Sequence, residues 1–262
     1  MGYQTIIYQA GETSASIFLN RLEAMNAINA AMVAELEDAL GEAAGRPLLR
    51  ALVLSGKGRA FCVGADLKFV LGELMGRGSL REGFLSDVKR MMGRLADFPA
   101  PVIAAVNGPA LAGGLELLLC CDMVVAAESA VFGDAHSNYG LLPGGGSSVR
   151  LPVRIGLNRA RELLFLGESR SAAEMERWGL VNRVVPDGEL EEEVGRILGR
   201  LEGKSPLVLR TMKSLVNRAR TMAEEDALWM EIDALDGHRL SEDMQEGLRA
   251  FRERRAPVFR GR

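Results

Sequence analysis

The chain has 262 residues, enough for one large domain or a core with a smaller appendage. Hydrophobic residues make up 48% and charged residues 26%, ordinary for a soluble globular protein, and the net charge is −3. That balance provides no basic field for a nucleic-acid backbone or an anionic membrane, so any site for a phosphorylated ligand must be local. In chain order, Ile6-Ile7-Tyr8 and Ala15 to Leu19 read as two short strands around Gly11, as in a hairpin. Ala31 to Leu40 is helical, with Met32, Val33, Leu36 and Leu40 on one face. Leu49 to Ser55 is a strand ended by Gly56-Lys57-Gly58. Val88, Met91, Met92 and Leu95 stand at helical spacing before Pro99 and Pro101, and Val102 to Val106 is a β-branched strand.

Gly113-Gly114 opens an apolar helix to Cys121, and Met123 to Ala126 returns as a strand. Alternation of strand and helix predicts an α/β core with parallel pairing. Ser171 and Glu174 form a capping box before a helix ended by Gly179, Leu180 to Val185 is one more strand, and strand signals stop beyond about Glu189. Ser205-Pro206 starts a helical tail that runs to about Arg254. This divides the chain into an α/β core over 1–200 and a helical region over 201–262. Three cysteines, Cys62, Cys120 and Cys121, are odd in number and lie in apolar surroundings, which suits buried thiols in a reducing compartment. The N-terminus shows no basic stretch followed by an apolar one, and the longest apolar run, Leu117 to Cys121, cannot span a bilayer, so a cytoplasmic location is expected.

One residue conflicts with its neighbours. Glu116 sits near the start of Gly113-Gly114-Leu115-Glu116-Leu117-Leu118-Leu119-Cys120-Cys121, a helix so apolar on every side that it should be buried. Burying an ionised carboxylate is expensive and tends to raise its pKa, which suits a general acid or base. Pairing with an arginine, or capping the helix start, is the plainer alternative. Gly113 and Gly114 lie where backbone N–H groups lack intrahelical partners and a carbonyl oxygen gaining charge would be stabilised. A second strand-to-loop transition, Arg59 to Lys68, could supply another donor; read alone, it is an ordinary turn with Asp66 as a helix cap.

These residues together resemble the enoyl-CoA hydratase (crotonase) family. The resemblance is carried by Phe61-Cys62-Val63-Gly64-Ala65-Asp66-Leu67-Lys68, by Pro101 to Gly108 with Ala112-Gly113-Gly114-Leu115-Glu116-Leu117, and by Leu19-Asn20-Arg21 with Ala24-Met25-Asn26-Ala27. Asp122, Phe132-Gly133, Gly179-Leu180-Val181 and the closing stretch Phe251 to Phe259 also fit, although Leu22 stands where proline is common. The resemblance implies an α/β fold of stacked β-β-α turns with a C-terminal helical trimerisation region, and homotrimers or hexamers made of two trimers. It implies acyl-CoA thioesters as substrates, with coenzyme A as part of the substrate, no metal or redox cofactor, and no nucleic-acid or membrane partner. The N–H groups of Ala65 and Gly113 would bind the thioester oxygen, and Glu116 would be a catalytic carboxylate. Ala24, Gly64, Asp66, Lys68, Gly114 and Phe259 would help bind substrate, and the basic stretch Arg252 to Arg255 could reach the nucleotide of a neighbouring subunit.

At one position the sequence departs from that pattern. Family hydratases hold water between two glutamates, the second following Phe132-Gly133; here that stretch reads Asp134-Ala135-His136. Histidine carries protons near neutral pH, so His136 is read as the second catalytic group, with shaping of the acyl pocket as its other possible role. Asp134 and His136, two residues apart along an extended chain, are expected to point the same way without touching. Carbon–carbon bond hydrolases of the superfamily also carry a histidine near this point, usually with an aspartate in the next glycine-rich loop; Pro143-Gly144-Gly145-Gly146 lacks one. The second reading is therefore a C–C bond or thioester hydrolase using His136, and the third a noncatalytic acyl-CoA-binding protein. Residues Phe69 to Phe84 are expected to shape the acyl pocket.

Overall fold

Gly11 closes the opening hairpin, in which β1 (Ile6–Ala10) and β2 (Ser14–Leu19) pair antiparallel. The computed structural model describes residues 2–74 and 81–262, the side chains of 73 and 74 aside. Asn29 caps α1 (Ala30–Ala44) by accepting a hydrogen bond from the Met32 N–H, and the helix buries Met32, Val33, Leu36 and Leu40 as its periodicity predicts. From β3 (Ala51–Gly56) onward the chain makes β-β-α turns. After β3 the loop pairs at Cys62 with Ala110 and enters α2 (Leu67–Leu74). Then α3 (Phe84–Ala96) leads to β4 (Val102–Val106), β5 (Ala110–Leu111) and α4 (Gly113–Leu118). The next turn comprises β6 (Met123–Ala127), β7 (Val131–Gly133), α5 (Ser147–Ile155) and α6 (Leu157–Leu166). It is followed by β8 (Arg170–Ser171), α7 (Ala172–Trp178), β9 (Arg183–Val185) and α8 (Leu190–Glu202).

The larger sheet has the order β1-β2-β3-β4-β6-β9 and is parallel from β2 onward; β5, β7 and β8 form the smaller one. β3 and β4 are buried at every position, as parallel strands covered on both faces must be. One face meets the main core, with Phe61, Phe98 and Phe132 fully enclosed, and Val53, Ile103 and Val125 on the other lie under Leu190 and Val194 of α8. All three cysteines are buried free thiols, and burial pushes Cys62 up to about 12 and Cys120 up to about 11, so they act as small hydrophobes.

Several boundaries differ from the sequence expectation: α1 runs on to Ala44, β3 begins at Ala51, and two more differ for a clear local reason. The strand expected from Leu180 starts at Arg183, because the N–H groups of Leu180 and Val181 both turn back to the Met175 carbonyl to close α7. The helix expected to reach Cys121 stops at Leu118, where Cys120 and Cys121 donate three residues back in a tightened final turn.

The tail forms α9 (Pro206–Ala219), α10 (Glu224–His238) and α11 (Glu242–Glu253). The Lys213 ammonium ties α9 to the core, 2.6 Å from Asp122 and 3.2 Å from the Ala100 carbonyl. Buried Asp243 accepts hydrogen bonds from Ser205 and from the Arg260 and Gly261 N–H groups, so the chain end folds back on the tail. By contrast α10 buries no residue, and Leu228, Trp229, Ile232 and Leu235 are all more than half exposed. Among the described residues no helix is long and apolar enough to cross a membrane.

Candidate active site

The loops after β3, β5 and β7 meet at one end of the strands, the usual place for a ligand in an α/β sheet. Asn26 fastens the first of them. It is fully buried, its side chain accepts from the Arg21 N–H at 2.9 Å, and it donates to the Lys57 and Ala60 carbonyls at 3.0 and 2.8 Å. Ile28 then pairs with the 64–66 segment as a strand would, through Ile28 N–H to Gly64 O and Asp66 N–H to Ile28 O, both 2.8 Å. Arg21 closes the clamp by donating to Asp66 at 3.0 Å and to the Ala27 carbonyl. The Arg21 hydrogen bond holds the Asp66 carboxyl below the usual carboxylate range, and the Lys68 and Phe69 N–H groups at the start of α2 add to it. Asp66, expected to contact substrate, is thus held by Arg21 and the helix start.

The second loop enters α4 through Ala112, whose φ of 47° and ψ of −118° are sparsely populated for a residue with a side chain. That turn sets Gly113 against the first loop. A Cβ on Gly113 would stand 3.3 Å from the Ala65 nitrogen, and one on Gly64 (φ 106°) would stand 3.0 Å from the Ala112 side chain. Gly64, at a φ that strains any side chain, and Gly113, where a Cβ would fit only tightly, let the two loops approach closely. Gly114, expected to bind substrate, must also be bare for packing between the loops, since a Cβ there would overlap the Cys62 carbonyl oxygen. Among the described residues neither the Ala65 N–H nor the Gly113 N–H has a hydrogen-bond partner.

Glu116 is 4% exposed, in line with its place in the apolar helix. Among the described residues it pairs with no arginine. Its Oε1 accepts from the N–H groups of Gly145 and Ser147, at 2.8 and 3.1 Å, at the N-terminus of α5. A Cβ on Gly145 would stand 2.7 Å from both Oε2 of Glu116 and the sulfur of Met92, so a side chain there would displace one or both of them. Oε2 itself is left without a partner among the described residues. Burial raises the Glu116 pKa, against the opposing pull of the Ser147 N–H, of the nearby His136 charge and of the Gly145 N–H.

The third loop corrects the expectation that Asp134 and His136 do not touch. Ala135 adopts a left-handed conformation, φ 60°, which curls the chain at the end of β7. The His136 Nδ1 comes within 2.9 Å of Asp134 Oδ1, and the His136 N–H within 3.4 Å of the same oxygen. Burial lowers the His136 pKa, but the Asp134 hydrogen bond and charge, with the charge of Glu116, outweigh it and leave the imidazole above its ordinary value.

Of the other candidates, Lys68 is exposed in the first turn of α2, and Ala24 is half-buried in the short helical turn Leu22–Ala24 before Met25 and Asn26, both at positive φ. Phe259 lies in the tail, its carbonyl receiving Arg50 at 3.2 Å. Part of the expected acyl-pocket stretch, 75–80, falls outside the described residues; of the remainder, the Phe69 and Phe84 rings pack edge to face at 4.9 Å. A cleft of about 1100 Å³ lies elsewhere, between the Asp97–Pro99 turn and helices α9 and α10, and includes neither Glu116 nor His136.

The family profile described as "Enoyl-CoA hydratase/isomerase" matches residues 9–262. A probable enoyl-CoA hydratase of Mycobacterium bovis is 37% identical over 259 residues, 99% of either chain. The chain belongs to the enoyl-CoA hydratase/isomerase family. A crotonyl-CoA hydratase of Syntrophomonas wolfei is 36% identical over 260 residues, again 99% of both. The crystal structure of an enoyl-CoA hydratase from Bacillus anthracis superposes with a TM-score of 0.93 at 36% identity, covering 99% of this chain and all of the other. In this member of the family three residues matter to the site beyond the roles the sequence suggested: Asn26, Gly145 and Ser147. Asn26 was visible as part of a motif; the other two donate backbone N–H groups from a loop whose contact with Glu116 has no local sequence signal.

Proposed function

We propose that this enzyme is an acyl-CoA hydratase, a hydro-lyase adding water across the double bond of a 2-enoyl-CoA thioester. The reading rests above all on Glu116: a buried carboxylate with one oxygen held by two N–H groups and the other free, beside two unpartnered N–H groups on facing loops. In this reading the Ala65 and Gly113 N–H groups bind the thioester oxygen and stabilise the enolate, each by about 3 kcal/mol. Ionised Glu116 takes a proton from the water that adds at C3. Protonated His136 delivers a proton to C2, after which the proton held by Glu116 returns to the pair through solvent. Addition of water is redox-neutral, so the substrate's own coenzyme A is the only carrier group required. Gly64, by letting the loops meet, Ala24 through its backbone, Lys68 through its charge, and Phe259 form the coenzyme A side of the site. Free buried thiols suit a cytoplasmic setting.

The test is turnover of a panel of 2-enoyl-CoA thioesters, followed as loss of the conjugated thioester absorbance. Hydration of at least one member is expected. A second reading is kept by one observation, the carboxylate behind His136. No turnover across the panel would favour a hydrolase in which this supported histidine activates water against a C–C or thioester bond.

The helical region over 201–262 is proposed as the oligomerisation element. The exposed row Leu228, Trp229, Ile232 and Leu235 on α10 is apolar surface that a lone subunit leaves in water. Sedimentation at micromolar concentration is expected to give a trimer or a hexamer, and a stable monomer would remove the assignment.

A further inference from the structure

Three elements converge behind the two proton-transfer groups, and one of the side chains they bring has no role in the hydration scheme so far. Asp134 is 1% exposed, at the end of β7. A buried carboxylate is retained against its desolvation only where something gains from its charge. Its Oδ1 faces the His136 imidazole at 2.9 Å. Among the described residues its Oδ2 is buried without an aligned partner, and so is the Ser147 hydroxyl, which lies near enough to help hold the Asp134 carboxyl ionised. Ser147 is also the residue whose N–H binds Glu116. The first residue of α5 therefore adjoins both carboxylates, while the left-handed Ala135 fixes the span between Asp134 and His136.

We propose that Asp134 is a positioning residue for the proton-transfer pair: it fixes the His136 ring through Nδ1, keeps the imidazole charged as an acid, and leaves Nε2 for the substrate. The proposal rests on the hydratase reading for what His136 then does. Its chemical logic is one of charge. Replacing a second glutamate by histidine alone would set a cation beside Glu116 and neutralise the site. Asp134 returns one negative charge, so Glu116 and Asp134 as carboxylates around one imidazolium carry the same net charge as two carboxylates sharing a proton. The charged groups that act on His136 are Asp134, two residues before it at the end of β7, and Glu116 from α4; Ser147 from α5 is polar and uncharged. Removing Asp134 should therefore make the imidazolium harder to keep.

The experiment is a histidine titration by nitrogen-15 NMR of the native protein and of Asp134→Asn, in the absence of substrate, with a pH profile of kcat/KM alongside. The chain has two histidines, so a His136→Ala spectrum assigns the signals. In the native protein the neutral form of His136 is expected to carry its proton on Nδ1. In Asp134→Asn the His136 midpoint is expected to move down by about 1–3 pH units, and the alkaline limb of kcat/KM to move with it, so that the loss is several-fold or more on the alkaline side and shrinks as the pH falls. A native tautomer with the proton on Nε2 would overturn the proposal even if Asp134→Asn failed to fold. So would an unmoved midpoint with a rate loss uniform in pH, which is what a purely structural residue gives. A moved midpoint in a protein that hydrates no 2-enoyl-CoA would leave Asp134 holding His136 and remove the hydratase reading instead.

Discussion

Glu116→Gln is expected to lower kcat by about 10²–10⁴ while leaving the affinity for a nonreactive acyl-CoA nearly intact. The substitution is chosen because it keeps the packing. A glutamine oxygen can still accept from the Gly145 and Ser147 N–H groups, so the loop before α5 and the contact with Met92 should hold. What is lost is the basic oxygen that no N–H group among the described residues holds. Stability should move in the other direction. Burial raises the Glu116 pKa above its ordinary value, so the folded state binds a proton there more readily than the unfolded chain. The stabilising contribution of such a group is complete below its unfolded pKa and is lost as the pH rises through the folded one. At pH 8 the native protein therefore carries an ionised carboxylate that it holds at a disadvantage, and Glu116→Gln should melt at a temperature equal to or above the native one, the gap closing toward pH 4. A less active but no less stable variant is the signature of a functional charge; an undiminished rate would remove Glu116 from the mechanism.

That charge was legible in the sequence because it breaks a local rule. In a stretch apolar on every side, one carboxylate after a glycine pair has few structural reasons to be present, and its burial in α4 follows. The buried runs of β3 and β4, the capping box at Ser171 and the Ser205-Pro206 start of α9 were readable for the same reason: each is a pattern whose physics is complete within a few residues. The features missed depend on distant or unusual backbone. β5, β7 and β8 are two or three residues long, too short for alternation to show. α5 contains Pro152, which argues locally against a helix, and begins after a run of glycines. Extended geometry predicts no Asp134–His136 contact; the contact forms because Ala135 turns left-handed, a conformation uncommon for any residue but glycine or asparagine. Pro143-Gly144-Gly145-Gly146 was read for a carboxylate it lacks, whereas its contribution is the Gly145 N–H and the bare space that lets Glu116 approach.

His136→Ala should cost about as much as loss of Glu116, again about 10²–10⁴ in kcat, and should also erase a feature of the pH profile. The site is active when Glu116 is ionised and His136 protonated. Activity then rises as the pH passes the raised pKa of Glu116 and falls as it passes that of His136, also raised, the two groups titrating as a coupled pair. Without the imidazole the alkaline fall should disappear from whatever rate remains. A native rate in His136→Ala would reduce the residue to a wall of the acyl pocket. His136→Glu is the more searching change, since it restores the second carboxylate that the family resemblance led one to expect. Simple restoration should fail here. Asp134 and Glu116 remain on either side, so three carboxylates would share the site with no cation, and repulsion would force at least one to keep a proton near neutral pH. Combining His136→Glu with Asp134→Asn removes that excess charge and should recover more activity than His136→Glu alone. If the single change instead gains activity over the native protein, His136 and Asp134 belong to a different reaction, and the hydrolase reading takes precedence.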